Sequence, residues 1–256
     1  MVEELLVTAR HNYKVDPSLA IWSWEIPVYL FLGGLTAGIM CFAAYAVLAR
    51  KDAEMPFTHD RFALWAPIAL SVGMTALFLD LEHKLYVFRF YTSFEPTSPM
   101  SWGAWILILV YPLMMLQTFS VLRRGYPALA GWVERLPFGG AALDVSEHLR
   151  RPVAALVIPL AVGLGIYTGV LLSAFSARPF WNTGLLGPLF LVSGLSTAAA
   201  LALIGARLDC EKHFFTRADI TLIGIELTFI AMLVINLSTG AAQQLETVNM
   251  VLGGAY

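Results

Sequence analysis

Residues 26–48 read IPVYLFLGGLTAGIMCFAAYAVL, without one charged side chain. A helix needs about 20 apolar residues to cross a bilayer core of about 30 Å. Lipid offers no hydrogen bonds, so a spanning segment must satisfy its own backbone, and the helix does this locally. The stretch is therefore a membrane span, and the chain repeats the pattern. Six spans are predicted, at approximately 26–48, 62–81, 101–121, 153–174, 184–206 and 217–238. Of 256 residues, 58% are hydrophobic and only 13% charged, with a mean hydropathy of +0.71. Soluble domains carry about a quarter charged residues. The expected fold is all-α, a polytopic helical membrane protein forming one integral domain over 1–256. The first twenty residues lack a continuous apolar run, so insertion is expected to use the internal spans and not a cleavable signal. Trp22 and Trp24 lead into span one at the depth where indoles are favoured.

Composition narrows the function. A net charge of −2 gives no reason to expect nucleic acid. The two cysteines, Cys41 and Cys210, form no cluster-ligand set. The histidines at 11, 59, 83, 148 and 213 fall in loops or at span ends, whereas a membrane b-type haem takes its ligands from inside helices. The chain is expected to hold no haem, iron–sulfur cluster or other metal. Gly34 and Gly38 make a GxxxG pair, read as close helix packing. Pro67, Pro112, Pro159 and Pro188 lie within spans, which bundles tolerate when neighbours satisfy the freed carbonyls. Residues 122–152 read as a surface segment.

Orientation follows from lysine and arginine. Arg50, Lys51 and Arg61, then Arg123, Arg124, Arg135, Arg150 and Arg151, then Arg207, Lys212 and Arg217 place eleven on one side. Arg10, Lys14, Lys84, Arg89 and Arg178 place five on the other. The expected location is the cytoplasmic (inner) membrane, with the eleven inside and both termini on the periplasmic side.

The distinctive polar segments then share the outer face: WSWEIP, LDLEHK, EPTSPMSWG, SARPFWN and STG. Glu25 and Tyr29 are four apart and share a helix face; Asp80 and His83, three apart, are read the same way. An acid beside a histidine stabilises imidazolium and relays protons. Tyr167 lies about two turns inside span four, where its ring can line an apolar pocket and its hydroxyl can bind a ligand. Arg178, Trp181 and Asn182 follow just outside. Glu226 sits near the middle of span six, a costly place for an acid, with proton relay and structural pairing both open. Plainer readings stand beside these. His83 can cap an interface, Asp80 can pair with Lys84, and the aromatics 86–94 can form an ordinary belt. The functional reading rests on co-location.

Four stretches carry a family resemblance: IPVYLFLGGLTAG at 26–38, LDLEHKLYVFRF with PTSPMSWGAW within 79–105, YTGVLLSAFSARPFWN at 167–182, and LFLVSGLSTAAAL at 189–201. The chain resembles the NrfD/PsrC family, quinol-binding membrane subunits of polysulfide-reductase-like complexes. IELTF at 225–229 is similar to the acidic position of the sixth family helix. The resemblance implies a four-helix-bundle architecture without redox cofactors of its own. It also implies exchange of electrons with menaquinone or ubiquinone, and a ferredoxin-like iron–sulfur subunit docked on the outer face. Beyond that partner a molybdopterin catalytic subunit or cytochrome is implied. Carried over by motif, the quinone site falls near Glu25, Tyr29, Asp80, His83 and Tyr167. In one member the tyrosine before the TG or PG step of span four binds the headgroup, and Tyr167 matches it. That member has a histidine in place of Tyr29 and an asparagine in place of Ile26. Members commonly have eight or more spans against six here; a short form, a truncated form and later helices on a separate chain all stand open.

The resulting expectation is a quinone-exchanging membrane anchor in an anaerobic respiratory complex, active only with its partners and embedded in lipid. Asp80 and His83 are its first proton acceptors and Glu25 an auxiliary. Tyr29 and Tyr167 hold the headgroup, Arg178, Trp181 and Asn182 flank it, and Glu226 lies on a proton path. The alternatives are a proton-coupled secondary transporter or channel, favoured by intramembrane acids and proline-broken helices, and a purely structural anchor.

Overall fold

A computed structural model describes residues 24–81, 83–92, 94–173 and 181–239. Six helices in it are long and apolar enough to cross a membrane. In chain order the helices are α1 (Glu25–Leu48), α2 (Pro56–Asp60), α3 (Trp65–Asp80), α4 (Phe88–Thr92), α5 (Pro99–Gly125), α6 (Pro127–Glu134), α7 (Gly139–His148), α8 (Arg150–Ser173), α9 (Leu186–Gly205) and α10 (Asp209–Ser238). Short 3-10 turns at Phe62–Leu64 and Lys84–Tyr86 precede α3 and α4. The spans are α1, α3 with its leading turn, α5, α8, α9 and α10. All six expected spans are present, with ends shifted by a few residues except at α10, which starts eight residues earlier. The protein is a multi-pass, all-helical membrane protein.

Alternation of the spans gives the bundle two ends. The cap end carries residues 83–98, the starts of α1, α5 and α9, and the ends of α3, α8 and α10. The basic end carries the 49–61, 126–149 and 206–208 connections. α1 is the central helix, packed against α3, α8 and α9, while α5 packs on α8 and α10 on α9. Its apolar window is 67% buried, against 11% for α10. The core joins Met40, Leu70, Met114, Val157, Ala198 and Phe215 from all six spans.

Small residues set the tightest crossing. A Cβ on Gly38 would collide with the Gly194 carbonyl and Ala198, and one on Gly194 would collide with Gly34. Backbone meets backbone where α1 crosses α9, so the GxxxG pair does pack helices. Polar side chains add ties across the bundle. Gln117 Nε2 donates to the Met40 carbonyl at 3.2 Å, and the Thr118 hydroxyl to the Ala63 carbonyl at 3.1 Å. Of the four intraspan prolines, Pro112 and Pro159 lie within helices. Pro67 and Pro188 fall in first helical turns, where an N–H would have no intrahelical acceptor anyway.

The 122–152 segment is more ordered than a surface loop. α6 and α7 fold against the end of α5 through Leu122, Ala130 and Leu143. Arg123 clamps them, donating to Glu134 at 2.9 Å and Asp144 at 2.6 Å. At the same end the Arg150 guanidinium donates to the His59 carbonyl at 2.6 Å and lies 3.5 Å from Asp60. His59 Nδ1 is 2.8 Å from Asp60. Burial alone would raise the Asp60 pKa. The hydrogen bond from His59, with the charges of Arg150 and Arg124, outweighs it and leaves the carboxyl below its usual value.

Candidate functional site

α1, α3, α5 and α8 form a four-helix group in which α3 and α5 barely touch. At the cap end the resulting gap is a cavity of about 420 Å³. That is within the size range of small-molecule sites, about 300–1,000 Å³. Its wall is mainly apolar. The polar groups reaching it are Tyr29 from α1, Asp80 at the end of α3, Tyr91 from α4 and Tyr167 from α8. Tyr29 and Tyr167 are 5% and 7% exposed, so their phenols are presented to the cavity and not to bulk water. Asp80 is exposed at the rim. Burial holds the Tyr91 phenol above its ordinary pKa, so it keeps its proton and offers the O–H as a hydrogen-bond donor.

Local sequence explains the shape. Pro99 starts α5, and residues 95–102 fold over that start: the Glu95 amide donates to Ser101 Oγ at 3.0 Å and the Trp102 indole to the Pro96 carbonyl at 2.8 Å. Phe94 and Trp105 meet edge to face at 5.5 Å, and the Arg89 guanidinium lies 4.8 Å from the Tyr86 ring centre. Most of the aromatic run is thus a cap and belt. From α5, Met100, Gly103, Ala104 and Leu107 reach the cavity, the i, i+3, i+4, i+7 face of a helix. Gly103 is the decisive one, because a Cβ there would fall within the Tyr167 ring. Its missing side chain is the space that the phenol occupies.

Of the residues singled out in the sequence, Tyr29, Asp80 and Tyr167 line one cavity. Asp80 and His83 do not share a helix face as expected. α3 ends at Asp80, Leu81 is extended, and the chain turns into the Lys84–Tyr86 3-10 segment. His83 is exposed at the cap end, 6.4 Å from Tyr86 between ring centres. Glu25 is the first residue of α1, and its Oε2 is buried without a hydrogen-bond partner among the described residues. Trp181 and Asn182 precede α9 at the same end but do not line the cavity. Arg178 lies outside the described residues. Glu226 is half-buried on the inward stripe of α10, away from the cavity. Sequence reasoning missed Gly103, Met100 and Tyr91. The helical spacing along α5 was the available signal for the first two.

A family model described as polysulphide reductase, NrfD, matches residues 11–256. The chain belongs to the NrfD polysulphide reductase family. It is similar to protein NrfD of Escherichia coli, with 29% identity over 249 residues, 92% of this chain and 77% of that protein. A polysulfide reductase chain of Wolinella succinogenes is 31% identical over 180 residues, 69% of this chain and 55% of that protein. A tetrathionate reductase subunit of Salmonella typhimurium is 30% identical over 213 residues, 83% of this chain and 56% of that protein. The matches thus span about half the length of the last two family members. The four helices around the cavity and the motif-bearing cap all fall within the range matched by the family model.

Proposed function

We propose that this protein is the quinone-reactive membrane subunit of a respiratory reductase complex in the cytoplasmic membrane. The cavity is the carrying observation. It opens at one end of the bundle, is apolar enough for a quinone ring, and presents two buried phenols and a carboxylate at its rim. A menaquinone or ubiquinone headgroup is flat and apolar with two opposed carbonyl oxygens, and Tyr29 and Tyr167 are suited to donate hydrogen bonds to them. Quinol supplies two electrons and two protons when it is oxidised. Asp80 receives protons at the rim, and His83 and Glu25, at the same end, pass them to solvent. Trp181, Asn182 and Arg178 belong to the surrounding surface, where an arginine suits partner docking. Glu226 is assigned to a separate proton path through α10.

The electrons leave through a partner subunit. A ferredoxin-like iron–sulfur subunit at the cap end is the fitting acceptor, with a molybdopterin subunit or cytochrome beyond it. The names of the relatives, polysulfide and tetrathionate reductase components, support a place in such a complex.

Quinol oxidation by the intact complex tests this assignment. Asp80→Asn should cut turnover about 100-fold, the ordinary scale for a lost acid–base group, with partner subunits still bound. His83→Gln should have a smaller effect, since buffer can replace a rim relay. Unchanged turnover in Asp80→Asn would remove Asp80 from the mechanism.

A further inference from the structure

A second, larger hollow lies at the opposite, basic end of the bundle, with a volume of about 780 Å³. Its walls come from α1, residues 51–55, α9 and α10. Along α10 it runs from Cys210 to Leu222, about 18 Å at the helical rise of about 1.5 Å per residue. The lining changes character along that length. Lys51, Glu54, His213 and Arg217 stand towards the helix ends, and Phe42, Leu195 and Leu222 lie further into the bundle. The Tyr45 and Phe214 rings stack 5.5 Å apart, and Phe214 and Phe42 both pack edge-on against buried Phe215. The floor is therefore a locked aromatic surface.

Charge is the second observation. Lys51 pairs with Glu54, whereas Arg217 has no ion-pair partner among the described residues. Arg217 stands about two turns inside α10, about 12 Å from Asp209 along the axis. It is exposed where the apolar part of the span begins, the depth of lipid headgroups, and so is placed to meet an anionic one. Phosphate is its geometric match, through two parallel N–H donors.

We propose that this groove is a binding site for one anionic phospholipid. Its phosphate sits against Arg217 and His213, beside the Lys51–Glu54 pair. One acyl tail lies over the Tyr45–Phe214 floor towards Leu195 and Leu222. A charged end at the interface and an apolar channel running inward are the two halves of such a molecule, and basic pockets between spans are suited to anionic headgroups. The site is separate from the cap-end cavity and does not depend on its function.

The test uses the full-length protein with its native partners in nanodiscs of phosphatidylglycerol or phosphatidylcholine. Retained lipid is counted by mass spectrometry after detergent exchange, and Tm is read in both discs. Wild type should retain phosphatidylglycerol and melt higher in it. Arg217→Gln should lower that retention about fivefold, the scale of one basic residue at a membrane surface, and abolish the Tm gain. Ala218→Phe, which fills the groove without changing charge, should do the same. Arg135→Gln, on an exposed loop at the same end, should leave both readouts at wild-type values. Three outcomes would overturn the proposal: equal retention of both lipids by wild type, equal losses in Arg217→Gln and Arg135→Gln, or full replacement of the Tm gain by inorganic phosphate in phosphatidylcholine discs.

Discussion

Tyr167 owes its position to Gly103, since any side chain on α5 at that point would displace the ring. The phenol is one of two buried hydroxyls at the cap-end cavity, and its net worth to a bound ligand is that of one hydrogen bond, about 1 kcal/mol. Tyr167→Phe keeps the ring and removes only the hydroxyl. Quinol KM should rise about fivefold with that loss, with kcat affected less, and steady-state kinetics of the intact complex would check it. At this scale the sequence was partly legible. Tyr29, Asp80 and Tyr167 stood out because polar groups interrupted apolar runs. Gly103 did not, because a glycine in a span looks the same whether it admits a neighbouring helix or a phenol. Tyr91 was hidden among aromatics whose other members are belt and cap. The Asp80–His83 pairing failed because three residues make one helix face only while the helix continues, and α3 stops at Asp80.

Among the elements, α1 and α9 are held by backbone contact, and glycine makes that contact possible. Gly194→Val would drive its side chain into Gly34. Overpacking of this kind costs about 1–3 kcal/mol, so Tm in detergent should fall by several degrees. Gly163→Val, whose Cβ would meet nothing within 4 Å, is the control and should leave Tm unchanged. At the basic end the Asp60 carboxyl is held below its ordinary pKa by His59, Arg150 and Arg124. A carboxyl depressed on folding contributes stability above its unfolded pKa, about 4, and loses it as pH falls through the lower folded value. Thermal stability should therefore decline below about pH 4, and Asp60→Asn should flatten that part of the curve. Span positions were legible from hydropathy, because the bilayer fixes their length. The α6–α7 pair was not, because its fold depends on the Arg123 clamp and on Leu143 packing at the base of α5.

For the whole molecule, the six spans alternate between a cap end and a basic end, and the proposed topology, resting on the lysine and arginine excess, has the basic end in the cytoplasm. With Cys41 and Cys210 replaced by serine, a single cysteine at Thr97 should react with an impermeant maleimide added outside spheroplasts, and one at Arg135 should react only after lysis. The reverse pattern would invert the topology and put the cavity, with the proposed iron–sulfur partner, on the inner face. The four-helix enclosure of the cavity was legible only through family resemblance. Hydropathy counts helices, but the gap between α3 and α5 arises from which faces pack on α1 and α8. The central claim is that this gap exchanges quinone. Its most direct test is the quinone content of the complex purified in mild detergent, wild type against Gly103→Ala. The account predicts quinone in the wild type and its loss in the variant. All subunits should remain present, and activity with an artificial electron donor should be intact. Equal quinone in both, with unchanged quinol oxidation, would contradict it.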